Sequence, residues 1–417
     1  LFGRLQSAMY DVVVIGGGAA GMMAAGRAAE RGKKVLLLER NKRLGEKLRI
    51  TGGGRCNITN AEQEEKKLLA NYGKSEQALY SPFSEFGMRD TFSFFEAHGL
   101  PLTVQANNRA FPESENATDV AHVFEAYLQD TGVIVQKGTG VEKIVVENDK
   151  ISHVIAAGKK TEAHSYILAT GGLSHPETGS TGDGFGWLSE LKHSVEKPTP
   201  TIVPLKANEA WIKKLSGKSA SDVKITFYVN GTKKFSKKGN ILFTHFGLSG
   251  PTILNSAGAV GDLLYEGSVT AIIDLHPSMD VGILDRHITS VFDGNKNKLL
   301  RNVFKQFVPA GTGDVLLTLL PTLDPETKVH SVRKEERRLL AELLKALPVT
   351  IEGLMGFERA VVADGGLVLS EVDMRTMRSK KYENLFVIGD LLHITRPSGG
   401  YSLQLCWTTG YVAGSNA

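Results

Sequence analysis

Cysteine is nearly absent: Cys56 and Cys406 are the only two in 417 residues, and they lie far apart. That excludes a disulfide scaffold and fits a reducing cytoplasm as the expected location. With no Cys-x-x-Cys, a reductase relaying electrons through a redox dithiol is excluded as well. No apolar run approaches the roughly 18–20 residues of a membrane span. Leu1 to Ala8 precede Met9 and lack the apolar core and cleavage pattern of a signal peptide, so they read as an extension. No internal repeat and no metal-ligand spacing occur. At 417 residues the chain is too long for one compact core, and two or three domains are expected.

Charge of one sign is also scarce overall, with a net of +4. The exception is a lysine cluster at 213, 214, 218, 233, 234, 237 and 238. Such runs are chiefly solvated faces. An anionic partner such as nucleic acid is the minority reading, because no aromatic–basic recognition motif accompanies the lysines. The sequence carries no signal for oligomeric state.

Against these absences stands one dense unit, Tyr10 to Glu39. The apolar run Val12-Val13-Val14-Ile15 leads into Gly16-Gly17-Gly18-Ala19-Ala20-Gly21, then a helical stretch, then Val35-Leu36-Leu37-Leu38 closed by Glu39. Gly16 permits the tight turn, Gly18 lets backbone approach a pyrophosphate, and Gly21 allows close helix–strand packing. The helix start at Ala19 and Ala20 offers unpaired N–H groups to phosphates. Glu39 ends the second strand, where a carboxylate can accept both hydroxyls of an adenosine ribose. Strand, turn, helix and acid at this spacing predict dinucleotide binding.

Two later segments choose between dinucleotides. Tyr166 to Gly172 is a buried strand running into Ala169-Thr170-Gly171-Gly172, and Asn384 to Asp390 is a strand ending in Gly389-Asp390. Similar turns in two-dinucleotide-domain flavoproteins pass beside FAD and place a carboxylate on its ribityl chain. Their order points to FAD rather than NAD. The most specific string is Arg49-Ile50-Thr51-Gly52-Gly53-Gly54-Arg55-Cys56-Asn57-Ile58-Thr59-Asn60. Its three glycines suit a close-approach loop better than a helix or strand. Together with Thr244 to Pro251 and Pro397 to Gln404, it resembles the bacterial HI0933-like flavoproteins, a family that includes aminoacetone oxidases and NAD(FAD)-utilising dehydrogenases.

The resemblance covers the chain from Met9. It implies an α/β fold: a Rossmann-like FAD-binding domain of the two-dinucleotide-binding-domain type, interrupted by an inserted β-rich domain with a helical subdomain. We place the FAD domain at 9–195 plus 351–417, the β-rich insert at 196–278 and about 345–355, and the helical subdomain at 279–345. The implied cofactor contacts add Arg40, Lys47, Val141, Thr51 to Asn57, and Gly399, Gly400, Tyr401 and Ser402 to those above. His393 stands where an acid is common and Arg396 where glycine is common.

Between the motifs, 62–130 reads as mostly helical, interrupted by a turn and extended segment at Asn107 to Pro112 that carries Arg109. A β-meander is expected over Val133 to Val135, Val141 to Val146 and Ile151 to Ala156, with Glu147 to Lys150 as a turn. A helix opens near Phe185, and Pro198, Pro200 and Pro204 mark a boundary. Strands follow at Lys224 to Val229, Asn240 to Phe243 and Val269 to Leu275. Helices follow at Leu299 to Phe307, Val315 to Leu320 and Glu335 to Leu347.

The absence of a second glycine fingerprint leaves two redox schemes. In one, a substrate amine or alcohol reduces FAD and oxygen reoxidises it. In the other, NAD(P)H docks transiently, reduces FAD, and an acceptor such as an enone takes the hydride. A helix beginning after Gly400 would stabilise negative charge on the flavin ring. Candidate catalytic residues are His245 as proton donor, with Arg109 and Tyr401 in a small-molecule substrate pocket. Cys56, flanked by no His or acid, reads as a buried residue rather than a nucleophile or flavin attachment. The alternative function is a flavin-containing binding or regulatory protein whose basic insert holds an anionic partner such as RNA.

Overall fold

The computed structural model describes residues 9–417, so the extension Leu1 to Ala8 lies outside the described residues. The chain divides into two units, one made of the residues up to Thr199 and those from Val361, the other of Pro200–Ala360. Each has its own hydrophobic core.

The first unit is built on strand β1 (Tyr10–Ile15), helix α1 (Ala19–Glu30) and strand β2 (Val35–Leu38). Continuous apolar residues make β1 and β2 buried on both faces, as central parallel strands require. With β3 (Ile134–Gln136), β4 (Ala163–Leu168) and β5 (Leu385–Val387) they form a parallel sheet in the order β5-β4-β1-β2-β3. Two short antiparallel strands, Arg378–Ser379 and Val372–Asp373, extend it beyond β5. Helix α2 (Tyr401–Asn416) crosses α1 closely. A Cβ at Gly410 or Gly414 would lie 2.5 or 2.4 Å from the carbonyl oxygens of Ala20 and Ala24. Also on α2, Trp407 stacks on Phe124, ring centres 5.0 Å apart.

One expected grouping is corrected here. Val133 to Val135 does not open the meander: Ile134–Gln136 pairs in parallel with β2. The helix Ala117–Asp130 before it makes a crossover, which delivers a parallel strand to the open edge of β2. The separate antiparallel sheet is Val141–Glu147, Lys150–Ala156 and Lys159–Thr161.

The second unit is a closed six-stranded barrel in the order Leu205–Ala207, Gly247–Ser249, Thr232–Thr244, Ser219–Val229, Val269–Asp274 and Leu347–Leu354. Ile225, Phe227, Ile241, Phe243, Ile273 and Val349 are among its buried residues. Helices Val281–Gly294 and Lys334–Lys345 join the same core. The second ends before Leu347 because Pro348 biases its predecessor to extended backbone. The helices expected over Leu299 to Phe307 and Val315 to Leu320 shrink to Leu300–Phe304 and Gly313–Leu317. The chain re-enters the first unit at Val361 rather than about 351, since Leu347–Leu354 is paired on both edges within the barrel.

Candidate cofactor and active site

The turn after β1 is shaped by three glycines with different surroundings. Gly16 has φ +107°, and a Cβ there would lie 2.5 Å from the Ala169 carbonyl oxygen. A Cβ on Gly21 would lie 1.9 Å from the Gly16 carbonyl oxygen, so packing alone demands glycine at both. Gly18 differs: nothing lies within 4 Å of its Cβ position. It precedes the start of α1, which has no side-chain cap and no acid in its first turn. An uncapped helix start with an open approach is what an anionic phosphate group fits.

Glu39 is buried, and its two carboxylate oxygens accept from Gly17 N and Asn41 N, each at 2.7 Å. Burial raises its pKa above the ordinary carboxylate range, opposed by those two backbone bonds. Each oxygen keeps a further lone pair for a hydroxyl donor. Beside it, Arg40 pairs with Asp183 at 2.8 Å and with Thr181 Oγ1 at 2.5 Å. Val141 is buried at the start of its strand, and Gly140 approaches the Arg40 side chain.

Lys47, on the short helix Glu46–Ile50, reaches Ser174 Oγ at 3.2 Å and lies 3.8 Å from the Cβ position of Gly171. Burial pushes its ammonium pKa down, and Asp390 opposes that shift. Asp390 itself is held by the guanidinium of Arg396. Across the Ala169 to Gly172 turn, a Cβ on Gly172 would lie 3.3 Å from the Asp390 carbonyl.

The Thr51–Gly54 segment carries left-handed glycines at 52, 53 and 54, and the Cβ positions of Gly53 and Gly54 face open space. Arg55 lies over the Phe111 ring at 4.4 Å and pairs with Glu115 at 3.1 Å. Cys56 is fully buried and its thiol is pushed up to about 12 by that burial, so a thiolate nucleophile does not form there. The Asn57 amide, oriented to satisfy its neighbours, accepts from Gly400 N at 2.9 Å.

Helix α2 likewise starts without a side-chain cap or first-turn acid. Gly400, with φ +103°, allows the Thr59 backbone to pass within 2.2 Å of where a Cβ would stand. Arg109 and Tyr401 both lie beside Gly399: its Cβ position is 3.6 Å from Tyr401 Cε2 and 3.9 Å from Arg109 Nε. The short antiparallel sheet of Thr59–Asn60, Arg109–Pro112 and Leu102–Gln105 carries Arg109 to this place. Burial raises the Tyr401 pKa, keeping its hydroxyl protonated at neutral pH. Ser402 Oγ accepts from Arg396 Nε at 3.0 Å. His245, by contrast, belongs to the barrel unit, exposed in the turn between Thr244 and Gly247, with Phe246 against its ring.

Sequence reasoning missed the residues that brace this site. Tyr72 donates to the Tyr401 carbonyl at 2.9 Å, Asn60 Nδ2 to the Gly399 carbonyl at 3.1 Å, and Trp407 Nε1 to the Ile58 carbonyl at 3.0 Å. Thr59 donates to Gln404 Oε1 at 2.5 Å. Only Gln404 and the Ile58 to Asn60 string sat inside a recognised motif.

Open phosphate approach, a buried ribose-side carboxylate and glycine-lined loops at two uncapped helix starts together suit an FAD. The HI0933-like protein Rossmann domain family matches residues 10–416. The chain belongs to this family. Over 421 residues it is 28% identical to the 3-dehydro-bile acid delta(4,6)-reductase of Clostridium scindens, covering 98% of this chain and 99% of that protein. It is 25% identical over 403 residues to the ribosomal RNA dihydrouridine synthase of Escherichia coli K12, covering 96% of each. Among solved structures, the 3-ketosteroid delta1-dehydrogenase of Sterolibacterium denitrificans shares its fold with TM-score 0.54 and 13% identity, over 97% of this chain and 98% of that one. The 3-ketosteroid-delta4-(5alpha)-dehydrogenase of Rhodococcus jostii RHA1 does so with TM-score 0.53 and 15% identity, over 98% and 96%. This HI0933-like protein is an FAD-dependent oxidoreductase. Among its described residues, no helix is long and apolar enough to cross a membrane and no acid, His or Cys group is arranged to hold a metal ion.

Proposed function

We propose that this protein is a reductase that delivers a hydride and a proton across a carbon–carbon double bond conjugated to a carbonyl, with NAD(P)H as the transient reductant. The observation that carries this reading is the chemistry shared by its full-length relatives: a 3-dehydro-bile acid Δ4,6-reductase and a dihydrouridine synthase are both named for such a reduction. The single glycine fingerprint supports an NAD(P)H that docks without a dinucleotide domain of its own.

In this reading the Gly16–Gly21 turn and the start of α1 hold the pyrophosphate, Glu39 and Arg40 the adenosine ribose with Val141 beside it, and Lys47 and Asp390 the polar chain. The loops Thr51–Asn57, Ala169–Gly172 and Gly399–Ser402 enclose the ring. Bound FAD supplies the two-electron chemistry. Arg109 and the protonated Tyr401 hydroxyl serve as donors to the substrate carbonyl oxygen, where negative charge develops as hydride adds to the far carbon.

The test is an anaerobic titration with NADPH and NADH, following the oxidised-flavin band near ~450 nm, and then addition of enones. Bleaching by NAD(P)H and recovery on adding an enone is the expected result. A protein that stays yellow with NAD(P)H but bleaches with an amine or alcohol overturns the reading in favour of an oxidase.

A second reading, in which the reducible base is carried in RNA, has its own observation. Residues 206–238 hold nine lysines against two acids, Glu209 and Asp222. Lys213, Lys214, Lys218, Lys233, Lys237 and Lys238 are all exposed, and Lys234 pairs with Glu266 at 2.6 Å. Between Thr232 and Asn240 the lysine-bearing strand pairs only with Ser219–Val229, and lysines on an open edge also block unwanted strand pairing. A mobility-shift assay with uridine-rich RNA at physiological salt separates the two roles. RNA binding that is lost in a Lys233→Glu, Lys237→Glu double variant supports the RNA substrate, and no binding by the wild type removes it.

A further inference from the structure

Arg396 is the most enclosed cation of the first unit's site, its side chain 1% exposed. Its three nitrogens are all engaged. Nε donates to Ser402 Oγ at 3.0 Å, Nη1 to the Ile394 carbonyl at 2.6 Å, and Nη2 to Asp390 Oδ1. One guanidinium therefore ties the Gly389–Asp390 turn after β5, the extended segment that follows, and the first turn of α2.

Enclosing a cation is costly unless a counter-charge comes with it. Asp390 provides one negative charge, but Lys47 draws on the same carboxylate, and Lys47 and Arg396 oppose one another. The next acid, Glu177, has a side chain 58% exposed and is engaged with His175 at 2.7 Å, so solvent screens it. A further acid, Asp364, also faces Arg396, but burial raises its carboxyl pKa and its hydroxyl partner is Thr395, so Lys47 and Arg396 draw chiefly on the one Asp390 carboxylate. The uncapped start of α2, with no acid in its first turn, adds partial positive charge on the same side of the fold. An environment of this kind binds the more negative form of a ligand more tightly than the less negative form.

We propose that Arg396 is a positioning residue with an electrostatic task. It fixes the Asp390 carboxylate and the first turn of α2, and the surplus positive charge it shares with Lys47 favours the reduced cofactor over the oxidised one. This rests on the reading above that places the flavin between Asp390 and the Gly399–Ser402 loop. Two-electron reduction with uptake of one proton adds a negative charge to the ring, and the surplus cation offsets it.

The experiment measures the two-electron midpoint potential and the FAD dissociation constant of the holoprotein, by anaerobic reduction against a reference dye. Arg396→Met is expected to lower the reduced-over-oxidised binding preference at least tenfold, which is about 30 mV for a two-electron couple. Arg396→Lys keeps the charge but loses the fork, so it is expected to weaken FAD binding while leaving the potential near wild type. Asp390→Asn, which removes the carboxylate that both cations draw on, is expected to move the potential in the opposite direction. An Arg396→Met holoprotein with wild-type potential overturns the proposal. If that variant does not fold, an unshifted Asp390→Asn overturns it instead. A wild-type protein that binds no flavin overturns the cofactor reading itself, an outcome recognisable before any variant is made.

Discussion

Individual residues in the turn after β1 show how one residue type serves two purposes. Gly21 is demanded by the fold, because its Cβ would meet the Gly16 carbonyl oxygen at 1.9 Å, whereas Gly18 faces open space with φ −81°, a backbone that alanine adopts freely. Gly21→Ala is therefore expected to destabilise the cofactor-free protein by roughly 1–3 kcal/mol. Gly18→Ala should leave its thermal midpoint within about 2 °C while weakening FAD binding at least tenfold. Thermal denaturation with and without added FAD checks both, and equal losses of stability in the two variants would contradict the division of roles. The glycine pattern was legible in the sequence because spacing alone encodes the turn. That Gly16 is closed in by the Ala169 carbonyl oxygen, 153 positions further along the chain, was not.

Secondary elements of the insert carry a pH-dependent tie. Arg337 on helix Lys334–Lys345 grips Asp285 on helix Val281–Gly294 through Nε–Oδ1 at 2.7 Å and Nη2–Oδ2 at 3.3 Å. The Arg337 hydrogen bond holds the Asp285 carboxyl below its ordinary value. For an acid whose folded pKa is depressed, the stabilisation is present above the unfolded pKa near ~3.9 and is lost as pH falls through the lower folded value. Asp285→Asn should thus cost about 1 kcal/mol at neutral pH, a part-buried fork being stronger than an exposed pair. The wild-type and variant denaturation curves should then converge under strongly acidic conditions. A gap that persists there would show that the loss is one of packing. Helix periodicity announced the helix around Lys334–Lys345 but did not single out Val281–Gly294, and the ion pair joins residues 52 apart, which no local pattern encodes.

The whole molecule separates what the chain order fixes from what folding assembles. Local chemistry determined much by itself: the strand–turn–helix–strand unit needs only glycine spacing and apolar runs, and the Pro348 break needs only the steric rule for the residue before proline. The family strings around Thr51 to Asn60 and Pro397 to Gln404 were also explicit in the sequence, and the family match spans 10–416. Tertiary structure alone decided that Ile134–Gln136 leaves the meander for the main sheet, because strand pairing is a choice among distant partners made by the open edge of β2. It alone brought Arg109 to Gly399, beside Tyr401's loop, through a three-stranded sheet pairing Asn60 with Arg109. It also put His245 in the barrel unit and set two cations around Asp390. Sequence records which residue types are present and how they are spaced. Burial, pairing and the electrostatic balance of a site are sums over residues that meet only once the chain has folded.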